Sequence, residues 1–128
     1  MTIKLHSITF DCGAWEPLVE FWTQASDFVE DPDNPNESGD PVGALVHPQS
    51  GLQLLFIPGP DRKTVKNRLH LDVQPIDGTR DEEVERLLGI GATVVDDRRN
   101  PDGTGWVVMA DPDGNEFCVE RSRLEREG

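Results

Sequence analysis

The stretch that decides the fold is residues 67–73, NRLHLDV. Apolar and polar residues alternate along it, which is the period of a half-buried β-strand. One predicted face carries apolar side chains: Leu69, Leu71 and Val73. The other face carries charged or titratable side chains: Arg68, His70 and Asp72. This polar face indicates either an ordinary solvent-exposed surface or a set of groups placed in a cleft.

An internal repeat favours the cleft. The same offset separates Ser7 from His70 and Ala14 from Asp77, and each half is predicted as a strand, a helix and three further strands. The first half has predicted strands at 3–12, 27–30, 42–47 and 52–57 and a helix at 15–25. The second half has predicted strands at 68–73, 92–96, 106–110 and 116–120 and a helix at 81–88.

These elements predict an α+β fold of two βαβββ modules, with paired curved sheets around a cleft and the helices on the outer faces. The apolar stripes of the helices support this arrangement: Leu18, Phe21, Trp22 and Ala25 in the first, and Val84, Leu87 and Leu88 in the second. We predict a single domain over 1–128: module one at 1–58, a connector at 59–66, module two at 67–121 and a charged tail at 122–128.

Composition excludes several classes of partner. The formal net charge is −13, from 25 acids and 12 bases, which argues against nucleic acid and anionic membrane surfaces as partners. No apolar run approaches the roughly 20 residues of a membrane span. Residues 1–10 lack the pattern of a signal peptide, so we expect a cytoplasmic protein with Cys12 and Cys118 reduced.

Four segments together resemble the vicinal oxygen chelate superfamily, and within it the glyoxalase-like domain proteins. They are DCGAWEPLVEFW at 11–22, KTVKNRLHLDV at 63–73, LLGIGATVV at 87–95 and WVVMADPDGNEFCVE at 106–120. The resemblance covers nearly the whole chain. It implies a fold of paired βαβββ modules and, in the enzymes of the superfamily, one divalent metal that acts as a Lewis acid in the cleft. Other members bind bleomycin without metal, and members often form dimers.

The metal ligands of the superfamily are only partly matched. The four ligand positions fall on Ser7, on Leu54 or Leu55, on His70 and on Cys118. His70 and Cys118 remain as potential ligands, and Asp72 is a candidate third. A thiolate would favour zinc or iron over magnesium. Because a catalytic metal has about three protein ligands, the losses favour a protein without metal over one with a single divalent ion.

The other candidate residues each have an ordinary alternative. His70 and Arg68 are the catalytic candidates, as an acid–base group and an anion clamp, but both could simply make local hydrogen bonds. Ser7, Thr9, Asp72, Trp106 and Cys118 are the ligand-binding candidates; Trp106 could instead be core, and Cys118 an inert buried thiol. Glu116 and Glu120 are interpreted as ordinary polar strand positions, with a base that faces the cleft as the alternative for one of them. Lys63 is interpreted as a solvated side chain of the connector, a segment that gates the cleft in members of the superfamily.

The function that the resemblance implies is a glyoxalase-like protein that binds a small molecule. It would be either a lyase, isomerase or dioxygenase with a degenerate metal site or a metal-free protein that sequesters a drug, as bleomycin-resistance proteins do. A non-catalytic interaction module is the third alternative. The expected partners are a small-molecule ligand and a second copy of the chain in a homodimer.

Overall fold

The structure is a computed structural model that describes residues 2–128. The chain divides into two compact units, one that ends at Arg62 and one that begins at Lys63, so the division falls inside the segment 59–66. The elements are β1 Ser7–Cys12, α1 Glu16–Ala25, β2 Gly43–Val46, β3 Gln53–Pro58, β4 Leu71–Val73, α2 Arg80–Gly89, β5 Thr93–Arg99, β6 Gly105–Ala110, β7 Glu116–Val119 and α3 Arg123–Glu127. Among the described residues, no helix has the length and apolarity to cross a membrane.

The first unit is a three-stranded sheet covered by α1. β3 lies in the middle, parallel to β1 and antiparallel to β2. Leu18, Phe21 and Trp22 of α1 are buried, which confirms most of the predicted stripe, and the ring of Phe10 lies 5.6 Å from that of Trp22. An isolated bridge joins Val29 to β2, within the stretch predicted as a short strand.

The second unit repeats this order with a complete fourth strand. Its sheet runs β4-β7-β6-β5, with β4 parallel to β7 and the other pairs antiparallel. α2 covers one face, where its buried residues Val84 and Leu87 accompany four buried sheet residues: Val107, Met109, Phe117 and Val119. Leu88, predicted to be part of the stripe, is 39% exposed, so the apolar stripe of α2 is narrower than the sequence indicates.

The central stretch of the sequence forms a shorter strand than predicted. Only residues 71–73 are β-structure, and Leu69 is 90% exposed rather than aligned with a buried face. The physical reason is that the N–H of Asn67 donates to the Glu116 side chain instead of to a neighbouring strand. The prediction was also too long at residues 3–6, which precede β1, and too short at 97–99, which belong to β5.

Arg80, a residue that the sequence reading did not single out, ties the second unit together. Its side chain is 5% exposed, and Nη1 donates to the carbonyls of Gly103, Thr104 and Gly105 at 2.9–3.2 Å. Its backbone N–H donates to Glu125 at 2.7 Å. One buried guanidinium therefore joins the start of α2 to the β5–β6 turn, while the backbone at the same residue anchors the C-terminal helix.

We expect Arg80→Ala to lower the free energy of unfolding by about 3 kcal/mol, because three carbonyls lose a charged donor whose side chain is itself buried. Denaturant unfolding followed by circular dichroism measures this. The matched control is Arg98→Ala, which removes an exposed arginine paired with Asp96 and should leave the stability nearly unchanged. Equal losses for the two variants would contradict the role assigned to Arg80.

Candidate functional site

The sheet of the second unit has a polar face on the side away from α2. Asp72 of β4 is the register partner of Cys118 of β7, and Cys118 is the partner of Val108 of β6. Because side chains alternate along a strand, Glu116 and Trp106 point to this same face. The face therefore carries a thiol, two carboxylates and an indole within one small sheet.

Two of these groups, Asp72 and Cys118, form a compact cluster with His70. The Sγ atom of Cys118 lies 3.7 Å from Nδ1 of His70, and this Nδ1 lies 3.2 Å from Oδ1 of Asp72. One donor atom from each of the three residues lies within 4.8 Å of the others. His70 precedes β4 and reaches the cluster from the segment before the strand. The structure thus brings together His70, Asp72 and Cys118, which the sequence placed among the site residues.

The cluster holds Cys118 as a thiol at neutral pH. Burial, together with the negative charge and hydrogen bond of Asp72, raises the pKa of Cys118 from 9.0 to about 11. A nucleophilic cysteine needs the opposite, a cationic environment that lowers the thiol pKa. The thiol and the carboxylate also approach the same ring nitrogen of His70, whereas a catalytic triad uses both nitrogens. The arrangement is one of converging donor atoms rather than an activated nucleophile.

The remaining predicted residues are placed as follows. Trp106 is 43% exposed on the polar face, so the alternative of a core residue is wrong. Arg68 is exposed, outside β4, and makes no hydrogen bond or ion pair with any of residues 2–128; the side chain of Asp72 pairs with His70 instead. Ser7 and Thr9 lie on β1 in the first unit, on the face opposite Phe10.

The register of the first unit resolves the alternative between Leu54 and Leu55. Thr9 pairs with Leu55 as Asp72 pairs with Cys118, and the sequence offset between equivalent residues is the same. Leu55 therefore occupies the position of Cys118, while Leu54 is 2% exposed on the face that α1 covers. The first unit offers no donor at this position.

Glu116 has a larger role than an ordinary strand position. Its side chain is 10% exposed, accepts a hydrogen bond from the N–H of Asn67 at 3.0 Å and pairs with Lys63 at 2.5 Å. Although burial acts to raise it, these two partners hold the pKa of Glu116 below its usual value. The alternation of β7 does predict that Glu116 lies on the same face as Cys118. The sequence gives no local signal for its partners, Asn67 and Lys63, because they lie about fifty positions upstream.

The donor set fits a divalent cation. Imidazole nitrogen, carboxylate oxygen and thiolate sulfur are all zinc ligands, and three protein ligands with an open position is the usual number at a catalytic zinc site. Asp72 would be the third donor, beside His70 and Cys118. The raised thiol pKa means that a metal must displace the proton of Cys118 when it binds.

The repeated order of strands and helices is that of the glyoxalase fold. The sequence profile of the family described as "Glyoxalase-like domain" matches residues 7–120, and the chain belongs to this family. The predicted membership and the predicted α+β class are thus confirmed. No curated protein sequence matches the chain.

Solved structures share the fold at low sequence identity. The fosfomycin resistance protein FosX of Mesorhizobium loti is 16% identical, with a TM-score of 0.69 over 99% of this chain and 98% of that chain. FosX of Listeria monocytogenes is 22% identical, with a TM-score of 0.68 over 98% and 95% of the two chains. A glyoxalase/bleomycin resistance protein/dioxygenase family enzyme of Burkholderia phytofirmans is 16% identical, with a TM-score of 0.66 over 91% and 97%.

We expect Asp72→Asn to lower the pKa of Cys118 from about 11 toward, but not to, 9.0, because the burial that also raises it remains. Thiolate absorbance near 240 nm in a pH titration measures this. The raised pKa also makes the free energy of unfolding depend on pH. The protonated thiol favours the folded state below pH 9, and this contribution is lost as the pH rises toward 11. Glu120→Gln, which removes a weaker charge effect on the same thiol, should give a smaller shift; an unchanged titration in Asp72→Asn would contradict the analysis.

Proposed function

We propose that this chain is a small-molecule-binding protein whose site is centred on His70, Asp72 and Cys118, and that these residues hold one divalent cation, zinc or iron. The observation that carries the proposal is the convergence of three chemically different donor atoms within 4.8 Å. The sequence alone favoured a protein without metal, with His70 and Cys118 as the matched ligands and Asp72 as a candidate third. The short distances from Asp72 to the other two donors favour the metal.

Charge supports the same proposal. Asp72 and Glu120 both raise the pKa of the Cys118 thiol, and Lys66 lowers it. A bound cation would reverse this local field, since a coordinated thiol is deprotonated outright. The cation would also supply Lewis acidity to a ligand oxygen at its open position.

The residues around the cluster provide the means to hold a small molecule. The side chain of His70 is 37% exposed, so a ligand can reach the ring. The exposed guanidinium of Arg68 suits a carboxylate, phosphate or phosphonate group. A variant of the Listeria monocytogenes protein was solved with Mn(II) and 1S,2S-dihydroxypropylphosphonic acid, a combination of metal and oxygen-rich anion of the kind we propose here. Turnover of such a ligand would be of the lyase, isomerase or dioxygenase type, and the homodimer stays a prediction.

Metal titration tests the proposal. We expect stoichiometric Zn²⁺ binding and, with Co²⁺ as a probe, a thiolate-to-metal charge-transfer band. His70→Ala and Cys118→Ser should each weaken binding more than about 100-fold, beyond the effect of losing an outer-shell partner. The matched control is His47→Ala, which removes the other histidine that pairs with a carboxylate, Asp27. Wild-type protein that binds neither ion would refute the metal.

A metal-free binding site is the second candidate, favoured by Trp106. Its half-exposed indole shares the polar face with Cys118 and offers an aromatic surface for stacking. The cluster without metal is also satisfied internally, since His70 contacts both Asp72 and Cys118.

If this second candidate is correct, aromatic ligands should bind in the presence of a strong chelator and quench the fluorescence of Trp106. Trp15 and Trp22 are buried, so Trp106→Phe should abolish the quenching while the remaining emission is retained. Raised thermal midpoints on ligand addition provide an independent measure. Loss of ligand binding when the chelator is added would contradict the metal-free site and support the metal-dependent one.

A further inference from the structure

The segment that carries His70 is bound at both ends and is not paired between them. At its downstream end, Leu71 enters β4 and pairs with Phe117 of β7. At its upstream end, the N–H of Asn67 donates to Glu116 of the same β7 strand. Residues 68–70 lie outside any strand, and their side chains are exposed. The backbone of this segment is therefore held by two attachments to the strand that carries Cys118, and the His70 ring itself contacts Asp72 and Cys118.

Glu116 is the side-chain attachment of the two. It lies two residues before Cys118 on the same face of β7, so one strand carries both the thiol and the group that fixes the segment opposite it. The ion pair with Lys63 uses the same carboxylate oxygen, Oε1, that accepts from Asn67. A carboxylate that accepts from an ammonium and a backbone N–H makes charge-assisted hydrogen bonds, which are stronger than neutral ones.

We propose that Glu116 is a positioning residue: through its hydrogen bond to Asn67, it keeps the segment 67–70 against β7 and thereby holds the His70 ring beside the Cys118 thiol. The inference extends the proposed function, because a fixed imidazole matters most where the cluster binds a cation. It makes a claim about the metal-free protein as well. Without Glu116, the segment swings on Leu71, the ring leaves Cys118, and the thiol becomes accessible.

An ordinary stabilising ion pair would behave differently. If only the ion pair with Lys63 mattered, any neutral replacement of Glu116 would lower the stability by a similar amount, because each removes the same charge. The positioning role depends on the acceptor for Asn67, so Glu116→Gln, which keeps an oxygen acceptor and removes the charge, should restore most of the wild-type behaviour. Glu85→Ala is the matched control, since it removes one exposed carboxylate from α2 in the same unit.

The first experiment measures the rate at which iodoacetamide modifies Cys118 in chelator-treated protein, with the site identified by mass spectrometry. We expect Glu116→Ala to react at least about 10-fold faster than wild type. In that variant, Cys118 can become exposed without first breaking the charge-assisted hydrogen bond between Asn67 and Glu116. Glu116→Gln and Glu85→Ala should react at nearly the wild-type rate. If Glu116→Ala is no faster than Glu85→Ala, or if Glu116→Gln is as fast as Glu116→Ala, the proposal is wrong. Should Glu116→Ala fail to fold, Asn67→Pro removes the backbone N–H that donates to Glu116 and should show the same acceleration.

The second experiment titrates the same variants with Co²⁺. We expect Glu116→Ala to weaken binding about 10-fold, as loss of an outer-shell partner does, with a reduced charge-transfer band that Glu116→Gln restores. Unaltered binding and spectrum in Glu116→Ala would overturn the proposal for the loaded site. A wild-type protein that binds no Co²⁺ would instead refute the metal of the proposed function, and the rate of thiol modification would still decide the role of Glu116.

Discussion

The parallel pairing of β4 with β7 is the constraint on which the site depends. It brings Asp72 opposite Cys118 across a long stretch of sequence, and β4 contributes only three residues to it. Pairing this short gains support at both ends: the N–H of Glu120 donates to the carbonyl of Val73, and the side chain of Glu116 accepts from Asn67. The sheet is thus extended by a side chain at the end where the backbone ladder stops, and His70 lies in the stretch between.

The electrostatics of the cluster follow from this geometry. Pairing sets a carboxylate next to a buried thiol, which raises the thiol pKa, and His70 is the neighbour that both groups share. The chain has a formal net charge of −13, so an excess of basic residues does not offset the negative charge that Asp72 places beside the thiol. The two proposed functions are therefore two ways to satisfy one arrangement: a cation that deprotonates Cys118, or a protonated thiol beside an imidazole and a carboxylate.

The sequence correctly predicted the features of the fold and site that depend on local periodicity. The repeat and the stripes of Leu18, Phe21 and Trp22 gave the α+β class, and alternation placed Asp72 on the polar face, while the resemblance supplied Cys118. It failed where a distant side chain decides the outcome. Asn67 leaves the strand because Glu116 accepts its N–H, and no window around Asn67 contains that partner. The end of β5 is a different case, because residues 97–99 pair with residues 105–107 of β6, which are near in sequence, and the prediction missed this pairing.

The two units show separately what the fold requires and what the chemistry requires. Thr9 and Leu55 occupy the same register as Asp72 and Cys118, and in both units the opposite face of the sheet packs against a helix through buried apolar residues. The register is thus kept by apolar periodicity and does not need the donor groups. Three positions distinguish the second unit from the first. Ser7, Thr9 and Leu55 of the first unit occupy the positions that His70, Asp72 and Cys118 occupy in the second, and only the second set forms a donor cluster. Because the donors lie on the face that packing does not use, the cluster could arise or be lost with little effect on the core.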